Sequence, residues 1–105
     1  ALKHRFAEMA MWLEASHAIA DQAIAEVQDQ LPGSDRTASA AKAYVDHYGS
    51  ELMHDCVQLH GGIGVTFEHD LHLFLRRHTV NRALYGTAAQ HRRRLGRLLA
   101  EETAA

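Results

Sequence analysis

The sequence predicts an all-α protein, and composition, hydrophobic spacing and the placement of glycines each support that class. Ala is abundant, aromatic residues make up 7% of the chain, and Pro32 is the one proline. This mixture favours closely packed helices over β-sheets. Apolar residues recur mostly at steps of three, four or seven, which is the spacing of one helix face. Short connections between long helices then predict an antiparallel, up-and-down helical bundle.

The first two predicted helices fill the N-terminal half of the chain. The first runs from about Leu2 to Leu31 and ends at the segment Pro32–Asp35, whose Ser and Asp are suited to cap the next helix. The second runs from about Arg36 to Leu59. It is expected to stop at Gly61–Gly62, because closely spaced glycines do not sustain a helix.

Two shorter helices are predicted in the C-terminal half. One begins near Glu68–Asp70, whose acidic side chains complement a helix N-terminus, and is interrupted around Gly86–Thr87. The other is strongly basic and covers about Ala88 to Glu101. The chain carries no internal repeat and no flexible linker, so residues 1–105 are expected to belong to a single domain.

Charge and cysteine content exclude several classes of protein. The formal net charge is −2, which gives no reason to expect nucleic acid or an acidic membrane surface as a partner. The single cysteine, Cys56, cannot form an internal disulfide and fits a reducing compartment. No apolar run reaches the roughly 18–20 residues of a membrane span, and no signal peptide is evident. A cytoplasmic location with no membrane span is therefore expected.

The segment Gln58–Gly64 (Gln-Leu-His-Gly-Gly-Ile-Gly) is the most informative part of the sequence. Taken alone, it is most simply a helix end followed by a tight turn. It also suits close approach of a phosphate to the backbone, with the Gln58 amide as a further donor. It lacks the Gly-Lys-Ser/Thr of a P-loop and the preceding strand of a dinucleotide-binding fingerprint.

Residues 58–77, from Gln58 through the Gly-Gly pair to Arg77, closely resemble the signature of the last domain of acyl-CoA dehydrogenases. The stretches Phe6–Ala15 and Ala41–Ala43 are similar to the same domain. The resemblance implies a C-terminal helical bundle of a flavoprotein, and it places the first helix of the family's four-helix set upstream of Ala1. A partial domain with an open apolar groove is the expected result.

The resemblance also implies the ligands and partners. In the family this segment contacts the ADP half of an FAD held mainly by a neighbouring subunit, so a homo- or hetero-oligomer would share each flavin site. Acyl-CoA would be the substrate, and an electron-transfer flavoprotein or similar acceptor the redox partner. The residues assigned to FAD in this way are Gln58, Leu59, His60, Gly61, Gly62 and Thr87.

The family's catalytic base has no counterpart here. The resemblance aligns its Tyr-Glu-Gly-Thr-Ser motif with the segment Leu84–Gln90. Without a gap Gly86 falls at the glutamate position, whereas deletion of one residue matches Tyr85, Gly86 and Thr87 to the Tyr, Gly and Thr. The carboxylate is missing in both alignments. Glycine cannot remove the substrate's α-proton, so no catalytic residue is assigned. Either the base lies on a helix upstream of Ala1, or the chain is a non-catalytic subunit of a mixed-subunit enzyme. A stand-alone helical interaction module is the remaining alternative.

Other polar clusters favour structural roles. Glu68–His72 and the pair His47 and His54 contain metal-ligand types, but their spacing meets a zinc site only loosely, and no metal is expected. The arginines near the C-terminus are typical of a solvated helix face, with Arg77 the best candidate for contacting a phosphate-containing ligand. Cys56 and Trp12 are expected to pack in a core or interface.

Overall fold

The computed structural model describes residues 1–63 and 68–104, and the side chains of residues 60–69 lie outside that description. All regular structure within these ranges is helical, which confirms the predicted all-α class. The helices are α1 (Leu2–Gln28), α2 (Ser34–Ile63), α3 (Glu68–Ala83) and α4 (Ala88–Ala104).

The connection between α1 and α2 begins earlier than predicted, because α1 ends at Gln28 rather than near Leu31. Gln30 and Gly33 both have positive φ, 53° and 83°. The Leu31 N–H donates to the Glu26 carbonyl at 3.0 Å, which satisfies one of the free carbonyls at the helix end. The two positive-φ residues, Gln30 before Pro32 and Gly33 after it, therefore reverse the chain between α1 and α2.

The central helix is α2, and α1 and α3 pack along it in the opposite direction. Near one end of α2, Arg5 contacts Asp55, and towards the middle the ring centroids of Trp12 and Tyr48 lie 5.8 Å apart. Residues later in α1 thus contact residues earlier in α2, so the two helices are antiparallel. The same reversal holds for α3, which completes the up-and-down order of the first three helices.

The contact between α2 and α3 depends on one small residue. His78 of α3 lies against Gly49 of α2, where an added Cβ would come within 2.8 Å of the imidazole Cε1 atom. The imidazole Nε2 atom is also 3.0 Å from the Ser50 hydroxyl. One turn of α3 further on, the Lys42 ammonium donates to the Asn81 carbonyl at 3.1 Å and pairs with Asp46. Glycine at position 49 lets the two helices approach closely enough for these polar contacts.

The second and fourth helices extend beyond their predicted ends. The prediction that α2 stops at Gly61–Gly62 is wrong, since α2 continues to Ile63, and α4 continues to Ala104 rather than Glu101. Each glycine in a helix costs about 1 kcal/mol relative to alanine, which weakens the helix without blocking its hydrogen-bond ladder. A long, otherwise favourable helix therefore passes through the glycine pair.

The described helices leave much apolar surface uncovered. The buried apolar residues are mostly alanines. Several apolar residues that recur at helical spacing along α1, including Phe6, Ile24 and Val27, are exposed. An apolar groove of about 460 Å³ lies between α1 and α2 and includes Ala23, Val27 and Ala41. The radius of gyration is 16.3 Å, against about 13 Å for a compact chain of this length. The sequence prediction of an open groove is confirmed.

No helix in the described ranges combines the length and apolar character needed to cross a membrane.

Candidate functional site

Gln58 lies in the last two turns of α2 with its side chain exposed. Its Oε1 atom accepts a hydrogen bond of 3.2 Å from the Arg5 guanidinium of α1. Because the carbonyl end of this exposed amide accepts from Arg5, its NH₂ group is the part that can donate to another acceptor. A phosphate oxygen is one such acceptor.

Arg5 is held from its other side by a buried carboxylate. Its Nε atom lies 3.6 Å from Asp55 Oδ2, and the Asp55 residue is only 7% exposed. Asp55 and Gln58 stand at i and i+3 on α2, so both face the same side of the helix. Sequence reasoning missed Arg5, which is 53 residues from Gln58 and carries no motif of its own. The spacing of Asp55 and Gln58 was the available signal.

The glycines beside Gln58 lie within a helix rather than in the predicted turn. Gly61 and Gly62 lie inside α2, where backbone N–H groups donate to carbonyls four residues back. The free groups at a helix C-terminus are carbonyls, which carry partial negative charge. The N–H groups of a glycine pair inside an α-helix are used by the helix, and the assignment of Gly61 and Gly62 to FAD stays a prediction. Leu59 is half-buried in the same turn, and the His60 side chain lies outside the described residues.

Thr87 forms the N-terminal cap of α4. Its backbone N–H donates to Gln90 Oε1 at 2.8 Å, while the Gln90 backbone N–H donates to Thr87 Oγ1 at 3.2 Å. This reciprocal arrangement is a capping box. Thr87 also lines a cleft of about 360 Å³ between α3 and α4, together with Arg82 and Arg92. Thr87 therefore has a structural role as a cap, and its contact with the cofactor stays a prediction.

The position expected for the family's base lies in a strained turn. Tyr85 has a φ of 59° and Gly86 a φ of 96°, a region that residues with a Cβ rarely adopt. A Cβ added at Gly86 would come within 2.9 Å of His91 Nε2. The histidine ring therefore fills the space that a side chain at this position would need.

His91 is fixed by hydrogen bonds on both ring nitrogens. Its Nε2 atom lies 2.7 Å from the Tyr85 carbonyl oxygen, and its Nδ1 atom lies 3.1 Å from Ser39 Oγ. The Arg94 guanidinium donates to the same Ser39 oxygen at 2.6 Å. Ser39 is completely buried in α2. Sequence reasoning missed this cluster, since Ser39 stands in an alanine-rich stretch that predicts packing alone.

The two predicted groups of cofactor residues lie at opposite ends of α2. Thr87 begins the helix that contacts Ser39, and Gln58 lies nineteen residues further along α2. At about 1.5 Å per residue this is a separation of roughly 28 Å. Gln58 and Thr87 of one chain therefore do not contact the same phosphate group.

The remaining predicted residues take structural positions. Trp12 and Tyr44 both stack against Tyr48, which confirms the packing role predicted for Trp12. Cys56 is half-buried, and burial, followed by the nearby Asp55 charge, raises the pKa of its thiol above the ordinary value. The thiol is therefore less reactive, as expected for a packing residue. Arg77 is exposed on α3.

Among the side chains that the structure describes, those of residues 1–59 and 70–104, no three His, Cys, Asp or Glu gather closely enough to hold a metal ion. Part of the Glu68–His72 run, including the His69 side chain, lies outside this description.

Comparison of the sequence with known protein families identifies the family of this helical chain. The family model described as the acyl-CoA dehydrogenase C-terminal domain matches residues 1–100. The chain belongs to the acyl-CoA dehydrogenase C-terminal domain family.

Three similar proteins are named as acyl-CoA dehydrogenases. The chain is 33% identical over 95 residues to acyl-CoA dehydrogenase IpdE2 of Mycolicibacterium smegmatis, covering 90% of this chain and 29% of the relative. It is 41% identical over 119 aligned positions to acyl-CoA dehydrogenase FadE34 of Mycobacterium tuberculosis, covering 96% of this chain and 16% of the relative. The IpdE2 protein of Mycobacterium tuberculosis is 34% identical over 77 residues, covering 73% of this chain and 22% of the relative. The chain thus spans less than a third of the length of these relatives. No solved structure matches the chain.

Proposed function

We propose that this chain is the C-terminal helical part of an FAD-dependent acyl-CoA dehydrogenase, an oxidoreductase that introduces an α,β double bond into an acyl-CoA thioester. The observation that carries the proposal is the family match over residues 1–100. The relatives named IpdE2 and FadE34 are acyl-CoA dehydrogenases, and the family is typically FAD-dependent. The chain's own contribution is contact with FAD and an oligomer interface.

The end of α2 suits contact with the cofactor through side chains. Gln58 presents an amide NH₂ group to solvent while Arg5 engages its carbonyl end. Arg5 adds positive charge at the same place, partly compensated by Asp55. Amide and guanidinium donors are the groups that bind a pyrophosphate. When bound, FAD supplies the acceptor for the hydride that leaves the substrate's β-carbon, and these residues hold the cofactor.

Cooperation between subunits follows from the separation of Gln58 and Thr87. Gln58 lies roughly 28 Å along α2 from Ser39, which contacts the helix that Thr87 begins. We therefore assign Gln58 to the FAD of a neighbouring subunit and Thr87 to the site of its own chain. The apolar groove and the exposed α1 side chains supply surface for packing against other parts of the enzyme. Residues 1–105 alone are expected to self-associate, and a well-behaved monomer in size-exclusion chromatography would count against this role.

The test of the function is made on the full-length protein, purified alone and with its natural partner subunit. Flavin absorbance measures cofactor binding, and reduction of an electron-accepting dye in the presence of acyl-CoA measures dehydrogenation. We expect bound FAD and acyl-CoA-dependent reduction. If the full-length chain binds no FAD even with its partner, the proposal fails.

A non-catalytic subunit of a mixed-subunit acyl-CoA dehydrogenase is the second candidate. The specific observation in its favour is the turn at Gly86, which has no carboxylate and no room for one beside His91. A full-length chain that binds FAD yet reduces dye only together with a partner subunit would identify this alternative. Dye reduction by the chain alone would instead indicate a base upstream of Ala1.

A further inference from the structure

We propose that Ser39, His91 and Arg94 form a buried hydrogen-bond relay that positions the Tyr85–Gly86 turn for contact with the acyl-CoA thioester. His91 and Ser39 are positioning residues in this proposal, because they act through the turn and do not touch the ligand. The identity of the ligand rests on the proposed function, whereas the relay itself rests on the contacts of the described residues.

The direction of each hydrogen bond in the relay follows from the chemistry of its atoms. The Tyr85 carbonyl only accepts, so His91 Nε2 carries the proton in their 2.7 Å contact. In the neutral ring Nδ1 is then an acceptor, and the Ser39 hydroxyl donates to it across 3.1 Å. The Ser39 oxygen in turn accepts from the Arg94 guanidinium at 2.6 Å. Each polar atom is used in a role that it can fill, and one tautomer of His91 is selected.

Burial makes this relay rigid. Ser39 is 0% exposed, so its hydroxyl has no water as an alternative partner, and an unmade hydrogen bond there would be costly. Arg94 and His91 are both half-buried and stand at i and i+3 on α4. The relay therefore ties one face of α4 to a fixed point on α2.

The turn at the end of the relay has the character of a functional site. Tyr85 is a non-glycine residue at a φ of 59°, a conformation that persists only where the surroundings impose it. The relay supplies that constraint through the Tyr85 carbonyl. The Tyr85 side chain is 91% exposed, so the strain does not serve burial of the ring. A rigid backbone that presents an exposed phenol fits the recognition of a ligand.

The relay also explains why this turn holds no base. Both nitrogens of His91 are engaged, so the imidazole has no free lone pair with which to remove a proton. The ring stands 2.9 Å from a Cβ built on Gly86. The His91 ring therefore occupies the space beside Gly86, where the resemblance places the family's carboxylate. In this proposal the exposed Tyr85 side chain faces the substrate instead.

The test uses the full-length protein with its natural partner and compares Ser39→Ala with Ser50→Ala. Ser50 is a matched control, because it is a half-buried α2 hydroxyl 3.0 Å from His78 Nε2 and lies away from the turn. Hydrogen–deuterium exchange of residues 84–88 reports on the turn without any ligand. Acyl-CoA affinity, measured by equilibrium titration, reports on recognition.

Both serine variants are expected to lower the thermal midpoint, but only Ser39→Ala is expected to accelerate exchange at residues 84–88, by about five-fold for the loss of one hydrogen bond. The same variant is expected to weaken acyl-CoA binding. If Ser39→Ala does not fold, His91→Leu replaces it, since leucine approximates the ring's volume without its polar atoms. His91→Gln keeps a donor for the Tyr85 carbonyl and is expected to restore slow exchange.

Equal exchange at residues 84–88 in Ser39→Ala and Ser50→Ala would overturn the relay. Faster exchange with unchanged acyl-CoA affinity would overturn the link to the ligand. Failure of the proposed function is recognised separately, because the unaltered protein would then bind neither FAD nor acyl-CoA while the exchange measurement still tested the relay.

Discussion

The two ends of α2 carry the chain's polar clusters, and they differ in what they leave free. At the C-terminal end, Gln58 is exposed, and Arg5 donates to its carbonyl oxygen but not to its NH₂ group. At the N-terminal end, Ser39 is fully buried and His91 is bonded through both nitrogens. The first cluster offers donors to a ligand, whereas the second is closed upon itself. In the proposed function, the first cluster binds the cofactor and the second fixes the backbone of the Tyr85–Gly86 turn.

The N-terminal end of α2, where Ser39 and His91 are bonded to each other, is here called the closed end, and the end with Gln58 the open end. Substitutions at the closed end are expected to change stability the most. Gly86→Ala is expected to destabilise the protein by about 2 kcal/mol, because alanine is strained at a φ of 96° and its Cβ meets His91. Gly96→Ala is the matched control within α4, where an added Cβ meets nothing within 4 Å. It is expected to stabilise the helix by up to about 1 kcal/mol. Urea denaturation of both variants measures the difference, and two changes of the same sign would contradict this description of the turn.

Restoring the carboxylate at the closed end is not expected to restore a base. Gly86→Glu carries the same strain as Gly86→Ala, and its side chain must displace the His91 ring. Dye reduction by the full-length enzyme with acyl-CoA should stay at or below the unaltered level. A gain in reduction with this variant would show that the turn tolerates a catalytic carboxylate, and the comparison between the two ends would then break down.

The open end should respond in binding more than in stability. Arg5→Met removes the partner that orients Gln58, and it also removes positive charge from the site. FAD affinity is expected to fall about five-fold, with a loss of stability near 1 kcal/mol because Arg5 is largely exposed. Arg93→Met, at an exposed arginine of α4, alters net charge equally and should change neither quantity. Equal loss of FAD affinity in both variants would indicate a general charge effect.

The smallest expected effect is a pH dependence of stability caused by His78, which packs against Gly49 near the middle of α2. Burial, followed by the positive charge of Arg82, lowers the pKa of His78 below its ordinary value, with Asp46 opposing and Lys42 adding to the shift. The unfolded chain therefore takes up the proton first as the pH falls, so stability is lost below about pH 6.5.

The measurement is the thermal midpoint between about pH 7.5 and about pH 5.5, where the unaltered protein should lose more stability than His78→Gln. His54→Gln, at an exposed histidine of α2, should behave like the unaltered protein. If His78→Gln shows the same pH dependence as the unaltered protein, His78 is not the group responsible.

The sequence predicted the helices well because their signals are local. Apolar spacing placed all four elements, and the Gly86–Thr87 interruption lies between α3 and α4 as expected. The end of α2 was misplaced because a helix can absorb the cost of Gly61 and Gly62 when the residues before them favour helix. The tendency of the two glycines to end a helix was outweighed by the favourable helix that precedes them.

The site was only partly predictable because its geometry depends on contacts between distant residues. The motif singled out Gln58 as a candidate, but its partner Arg5 lies in another helix and has no sequence signal. Ser39 and His91 are separated by 52 residues, and a serine among alanines gives no indication of a buried relay. Long-range polar contacts of this kind follow from the packing of α2 against α1 and α4.

The most direct test of the central claim is the FAD dissociation constant of the full-length protein with its partner, measured for Gln58→Ala beside the control Gln22→Ala. Gln22 is an exposed glutamine on α1. Loss of a hydrogen bond to a charged phosphate should weaken FAD binding about ten-fold in Gln58→Ala, with an unchanged thermal midpoint. Gln22→Ala should bind FAD as the unaltered protein does. Equal affinity in all three proteins would contradict the claim that this end of α2 contacts the cofactor.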